Sequence, residues 1–206
     1  MADWLKPFQR PLVVINCASA SAPFLKTLSG PNRVIITATR SGNEMNFTRF
    51  GEYFAKALAT LESDLDKDGQ VSLLEAFLMA SRHVAEFYRT EGRLLTEHAL
   101  LDDNGDGQGT PADWFRGVRA IKKAKDDTSA DGTRANQLYL VLSAEEHALS
   151  VDVRAQRDAL EVSVVRLREA KSRMLEADYY RQLETILLEL ARLQSSSTKA
   201  TNQIMR

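Results

Sequence analysis

Apolar residues in this chain come in two textures, short solid runs and long spaced stripes. From Pro11 the run PLVVIN is apolar on successive residues and rich in β-branched side chains, the pattern of a strand covered on both faces. A second run of this kind, RVIITAT at 33–39, follows a Ser-Gly-Pro-Asn turn signal. FLKTL lies between them as a short helical crossover, so the three pieces predict a parallel β-α-β unit. Next, NFTRFGEYFAKALATL carries Phe47, Phe50, Phe54, Leu58 and Leu61 at helical spacing, which predicts a helix with one face on that sheet. The polar stretch DLDKDGQVSLLE at 64–75 leads into a further helical pattern, SLLEAFLMASRHVAEFYRT. A third solid run, QLYLVLS at 137–143, is expected to close the α/β part.

After Ser143 the stripes take over. Val153, Leu160, Val164 and Leu167 recur every three or four residues, as do Leu183, Ile186, Leu190 and Leu193, with Arg, Glu, Gln and Lys between them. Two amphipathic, coiled-coil-like helices are predicted, forming a hairpin that turns near 175–178. The tail SSSTKATNQIMR is polar and is expected to lack order. The expected organisation is an α/β domain over 1–146, a helical hairpin over 147–195 and a disordered tail over 196–206.

The stretch 64–75 sets oxygen-bearing residues at the first, third, fifth, ninth and twelfth places, with glycine at the sixth. In an EF-hand loop these places converge because the backbone winds around the ion. Asp64, Asp66 and Asp68 would each give a carboxylate oxygen and Gln70 its backbone carbonyl. Ser72 would reach the ion directly or through water, and Glu75 would close the site with both oxygens. Val71, apolar at the eighth place, fits the residue that pins such a loop to the protein body. Six or so oxygens, four of them from carboxylate side chains, predict Ca²⁺ as the ion. Ala76 departs from the pattern, since a large apolar residue usually follows the closing Glu. A second stretch, DDNGDGQGTPAD at 102–113, repeats the spacing with Asp102, Asn104, Asp106 and Asp113 and is a possible second metal site. Gly109 stands at its eighth place and Pro111 interrupts the entry to a following helix.

The chain's one cysteine, Cys17, follows PLVVIN directly. The carboxyl end of a parallel strand is where α/β folds place their chemistry, although a lone cysteine is more often a small, inert core residue. The order strand–Cys17-Ala-Ser19-Ala-Ser21, crossover, strand–Thr37-Ala-Thr39-Arg40 with Glu44, then Phe50-Gly-Glu-Tyr53-Phe54 resembles the second half of a caspase-fold peptidase of the legumain type. The resemblance covers roughly residues 10–145 and is nearest to bacterial caspase-like proteins with an inserted acidic loop. It implies a partial, mainly parallel sheet flanked by helices, with Cys17 as nucleophile and Arg40 and Glu44 near a specificity pocket. In that family the general base is a histidine followed by glycine, upstream of the cysteine. Here the three histidines, His83, His98 and His147, all follow it. Only His98, in TEHALLDD, lies near a plausible loop or strand end, which makes it the candidate base within this chain. A thiol without a positioned base, at its ordinary pKa near 8.5, is only slightly ionised at neutral pH.

Composition narrows the classes. A net charge of −1 gives no general attraction to nucleic acid or to anionic lipid. No stretch approaches the roughly 18 apolar residues of a membrane span, and MADWLKPFQRP lacks the pattern of a secretory signal. The family sheet has strands before its cysteine strand, so residues 11–16 are expected to need covering by an absent N-terminal half, a partner chain or self-association. Three functions stand open. One is a calcium-binding protein on a caspase-like scaffold without peptidase activity. The others are a cysteine peptidase using Cys17 with a histidine from elsewhere, and an interaction module working through the helical hairpin.

Overall fold

Two helices in succession, placed between the second and third strands, set the topology of the sheet. The computed structural model describes residues 2–5, 7–8, 10–123 and 129–204. After a short helix α1 (Ala2–Leu5), strand β1 (Leu12–Asn16) crosses over through α2 (Ala22–Leu28) to β2 (Arg33–Thr37). The two strands pair in parallel, from Leu12 opposite Arg33 to Asn16 opposite Thr37. This is the unit that the two solid apolar runs predict. Helix α3 (Phe50–Leu58) then runs away from the carboxyl end of β2, and α4 (Leu73–Thr90) packs against α3 and brings the chain back. β3 (Leu100–Asp102) consequently starts where β2 stops, so it pairs antiparallel with it. β4 (Thr110–Pro111) returns antiparallel to β3, giving the order β1-β2-β3-β4. The sheet is therefore mixed rather than mainly parallel.

Alternation along the strands supplies a face to each side. Val13, Ile15, Val34, Ile36 and Leu101 belong to the core shared with Phe50, Phe54, Leu73, Phe77 and Val84 of α3 and α4. Val14, Ile35 and Leu100 face the other way, onto Leu25 and Leu28 of α2 and Leu5 of α1. The central strand β2 is buried almost throughout, whereas all five residues of β1, at the edge, are half-buried.

Helix α3 begins three residues later than its apolar stripe suggests, and Phe47 and Leu61 lie outside it at 80% and 67% exposure. Its start is fixed by a distant carboxylate. Glu97, 2% exposed, accepts from the backbone N–H of Arg49 and Phe50 and from the Tyr88 hydroxyl. No side chain of its own sequence caps α3, so Glu97 satisfies amide donors that a helix start leaves free.

The run QLYLVLS forms no strand. Residues 115–120 make a small separate hairpin of β5 (Phe115–Arg116) and β6 (Arg119–Ala120), and α5 (Thr133–Asn136) follows. Beyond it, Leu138 gives its carbonyl to Leu73 N, Tyr139 makes a lone bridge with Ser72, and Leu140 and Val141 stand exposed. The backbone groups of this run are used at the start of α4 and not at the sheet.

Residues from Leu142 onward form a second compact unit. It contains α6 (Ala144–Ala148), α7 (Val151–Ala170) and α8 (Glu176–Ile204), with a break at 171–175, so that residues 176–178, where the sequence suggests a turn, already belong to α8. α7 and α8 pack on each other, with Val164, Leu167 and Tyr179 buried. Arg157 holds Glu146 of α6 through two bonds of 2.7 and 2.9 Å. α8 continues through 196–204, where the polar composition suggests an unstructured tail; extending an existing helix needs no new nucleus.

Candidate metal centre

The loop between α3 and α4 begins after a turn at Leu61–Ser63 and ends in the first turn of α4. Asp64, Asp66 and Asp68 bring carboxylate oxygens within 4.8 Å of one another, and this cluster could hold a metal ion. The winding that gathers them is visible in the backbone. Lys67 and Gly69, the fourth and sixth places, take left-handed φ values of +65° and +88°. Asp64 accepts from Lys67 N at 2.6 Å and from Gly69 N at 3.0 Å, and Asp68 accepts from Gln70 N at 2.8 Å. Burial first, then the carboxylates of Glu75, Asp68 and Asp64, push Asp66 up to about 6. A cation among these oxygens would relieve that repulsion.

Glu75, at the twelfth place, is 1% exposed and turns toward protein donors. One oxygen accepts from Leu65 N and Asp66 N at 2.6 and 3.2 Å. The other accepts from Ser72 N and Ser72 Oγ at 2.8 and 2.9 Å. Ser72 caps α4 and Glu75 completes a capping box with it. Glu75 thus ties the second, third and ninth places of its loop together. Gln70 is buried, and the Tyr139 hydroxyl donates to the second Asp68 oxygen at 2.9 Å.

The second loop has the same backbone. Gly105 and Gly107, its fourth and sixth places, have φ of +82° and +74°. Asp102 accepts from Gly105 N at 2.9 Å and Gly107 N at 3.0 Å, and Asp106 accepts from Gln108 N at 2.7 Å. Gly105 is also required by space, because a Cβ on it would lie 2.9 Å from the Gly30 carbonyl.

Asp113 does not close this loop. Residues 110–111 form β4 and carry the chain back along β3, so Asp113 emerges beside His98 and Ala99 at the other end of the strand. The loop is braced instead by Asp131, which the spacing gives no means of finding. Asp131 accepts from Asp103 N and Asn104 N with one oxygen, at 2.9 and 3.1 Å, and from Thr110 Oγ1 with the other, at 2.6 Å. These are again the second, third and ninth places, so Asp131 ties its loop as Glu75 ties the first. Asp103 answers by accepting from Gly132 N and Ala135 N. Burial and the facing Asp103 carboxylate push Asp131 up to about 8.

At the opposite end of the sheet the cysteine and histidine candidates do not meet. Cys17 is half-buried against α3, where a Cβ on Gly51 would lie 3.1 Å from its sulfur. Burial pushes the thiol up from its ordinary value, away from the thiolate a nucleophile needs. His98 turns its Nδ1 to Glu44, 2.6 Å away, and its backbone N–H also donates to Glu44. Arg40 reaches the same carboxylate, with its backbone N at 3.0 Å and its Nε at 3.4 Å. Arg40, Glu44 and His98 are thus gathered into one cluster, while among the described residues no hydrogen bond joins His98 to Cys17. His83 stacks on Tyr53 and His147 lies in α6. Comparison with protein-family models, with curated proteins and with solved structures finds no match to the chain.

Proposed function

We propose that this chain is a calcium-binding protein, built on a caspase-like α/β scaffold, that has no peptidase activity of its own. The observation that carries the reading is the convergence of Asp64, Asp66 and Asp68 on one point within a loop whose fourth and sixth residues are both left-handed. Several hard oxygen donors in a flexible ring suit Ca²⁺ better than a softer ion or one that demands a rigid octahedron. Glu75, whose oxygens are held by protein donors, would close the site by exchanging them for the cation. The parallel β1–β2 pair, with Cys17 at its end, supports the scaffold likeness. The raised thiol and the separate engagement of His98 weigh against the peptidase alternative.

The second loop is proposed as a second site, with Asp102, Asn104 and Asp106 closed by Asp131 in place of Asp113. Its support is the repetition of the first loop's bonding places by a residue from outside the motif. The ions act on structure: one fixes the joint between α3 and α4, the other the turn between β3 and β4. The packed helices α7 and α8 are read as a hairpin, and the half-exposed edge β1 as a surface that a partner or a second copy covers.

Calorimetric titration of the parent with Ca²⁺ should find two sites. Asp66→Asn together with Asp68→Asn should remove one of them and Asp131→Asn the other. A parent that takes up no calcium at millimolar concentration, or takes up magnesium equally well, overturns the reading.

A further inference from the structure

At the end of the sheet away from both loops, a half-enclosed cavity of about 200 Å³ opens between α4 and the segments around residues 97–99 and 111–113. Small residues leave this space in an otherwise packed core. Ser81 and Ala85 line it from α4, and Ala99 and Ala112 from across it. A cavity near 150 Å³ lined by apolar side chains is already enough to take a benzene-sized molecule.

Polar groups on the wall define what would fit. His98 lines the cavity, and Glu44 holds its Nδ1 at 2.6 Å. A carboxylate on one ring nitrogen fixes the tautomer and leaves Nε2 to accept from a ligand. Asp113 lines the same cavity, is exposed and has no ion pair among the described residues. Both groups accept hydrogen bonds, while the nearby Glu97 is committed to the start of α3. An anion would be repelled here, whereas a donor with positive charge would find two acceptors above an apolar floor.

We propose that this cavity binds a small amine with an apolar body about the size of one ring. The body fills the space against Val84 and Phe50, and the ammonium group donates to Asp113 and to His98 Nε2. The site uses none of the residues proposed to hold calcium, since Asp113 stands apart from its loop, so calcium and amine occupy opposite ends of the domain.

The test uses 2-phenylethylamine as the probe, with toluene and phenylacetate as controls, followed by amide chemical shifts of the full chain. The amine should saturate in the millimolar range or below, perturbing residues 97–99 and 111–113. Phenylacetate should bind at least tenfold more weakly. Asp113→Asn should weaken the amine several-fold and leave toluene unchanged, since toluene reads only the apolar space. Ala85→Phe, at an exposed position that tolerates a larger side chain, should abolish binding of both. The proposal is overturned if the amine gives no saturable shift, if phenylacetate binds as tightly, or if Ala85→Phe binds the amine like the parent. Equal melting temperatures for parent and variants show that folding is not the variable.

Discussion

Glu75→Gln separates the bracing of the loop, which Glu75 performs, from the closing of an ion site, which is proposed for it. The parent carboxylate accepts four hydrogen bonds, from Leu65 N, Asp66 N, Ser72 N and Ser72 Oγ. The amide keeps one oxygen and turns an NH₂ toward donors, so two of the four lose their acceptor. Each lost partner costs about 1–3 kcal/mol in a buried setting, and these donors are buried or part-buried. Removing one charge beside Asp66 takes back some of that loss. A net loss of about 2–4 kcal/mol is expected without calcium, or roughly 4–16 °C in melting temperature at about 2–4 °C per kcal/mol for a chain of this size. With calcium the gap should widen. A ligand at about one hundred times its Kd stabilises the parent by about 2.7 kcal/mol, and a loop lacking its closing carboxylate forfeits most of that gain. Thermal unfolding of both proteins, in chelator and in excess calcium, reads the two effects separately. A variant as stable as the parent in chelator refutes the bracing argument. A variant that gains as much from calcium as the parent refutes the site.

Tyr139→Phe removes only the hydroxyl that orients the Asp68 carboxylate; calorimetry should find the first site weakened several-fold and the second unchanged, and equal affinities would make the contact incidental. Cys17 should resist alkylation, because burial raises its pKa and the thiolate appears only at higher pH. Its rate with iodoacetamide should rise with a midpoint above the value near 8.5 of a free cysteine, and fast reaction at pH 7 would contradict this. The β1 edge should draw the 23.0 kDa chain into a larger species at high concentration. Light scattering that finds only a monomer would refute it.

The parts of this molecule that were legible in the sequence are those decided locally. Solid β-branched runs gave β1 and β2, helical spacing gave α4, and the alternation of Asp64, Asp66 and Asp68 gave the first loop. The direction of β3 was not legible, because it depends on an even number of helices returning the chain to the end of β2. Asp113 was misplaced for a related reason: spacing says nothing about a β4 strand that carries the twelfth residue away. Asp131 lay hidden because its only local signal is an Asp-Gly pair, which reads as a turn. The acidic residues that brace both loops are buried, and burial is a property of the whole fold.

The acidic loop at 64–75 and the lone cysteine are close in sequence but not in space. Helix α3 lies between them. Cys17 packs at the start of α3, beside Gly51, while the loop follows that helix's far end. The nine residues of α3 span about 13 Å at 1.5 Å each. That exceeds the screening length of roughly 8 Å in physiological salt, so a bound ion has little means of lowering the thiol's pKa. What the loops do share is residues 129–139. Ser129 O, Asp131, Gly132 N and Ala135 N bind the second loop. Asn136, Leu138 and Tyr139 bind the first. Each loop supplies one side of the seat for this segment, and each is held in shape by it. An ion in either loop would therefore brace the same piece of chain, which makes the two loops one structural device.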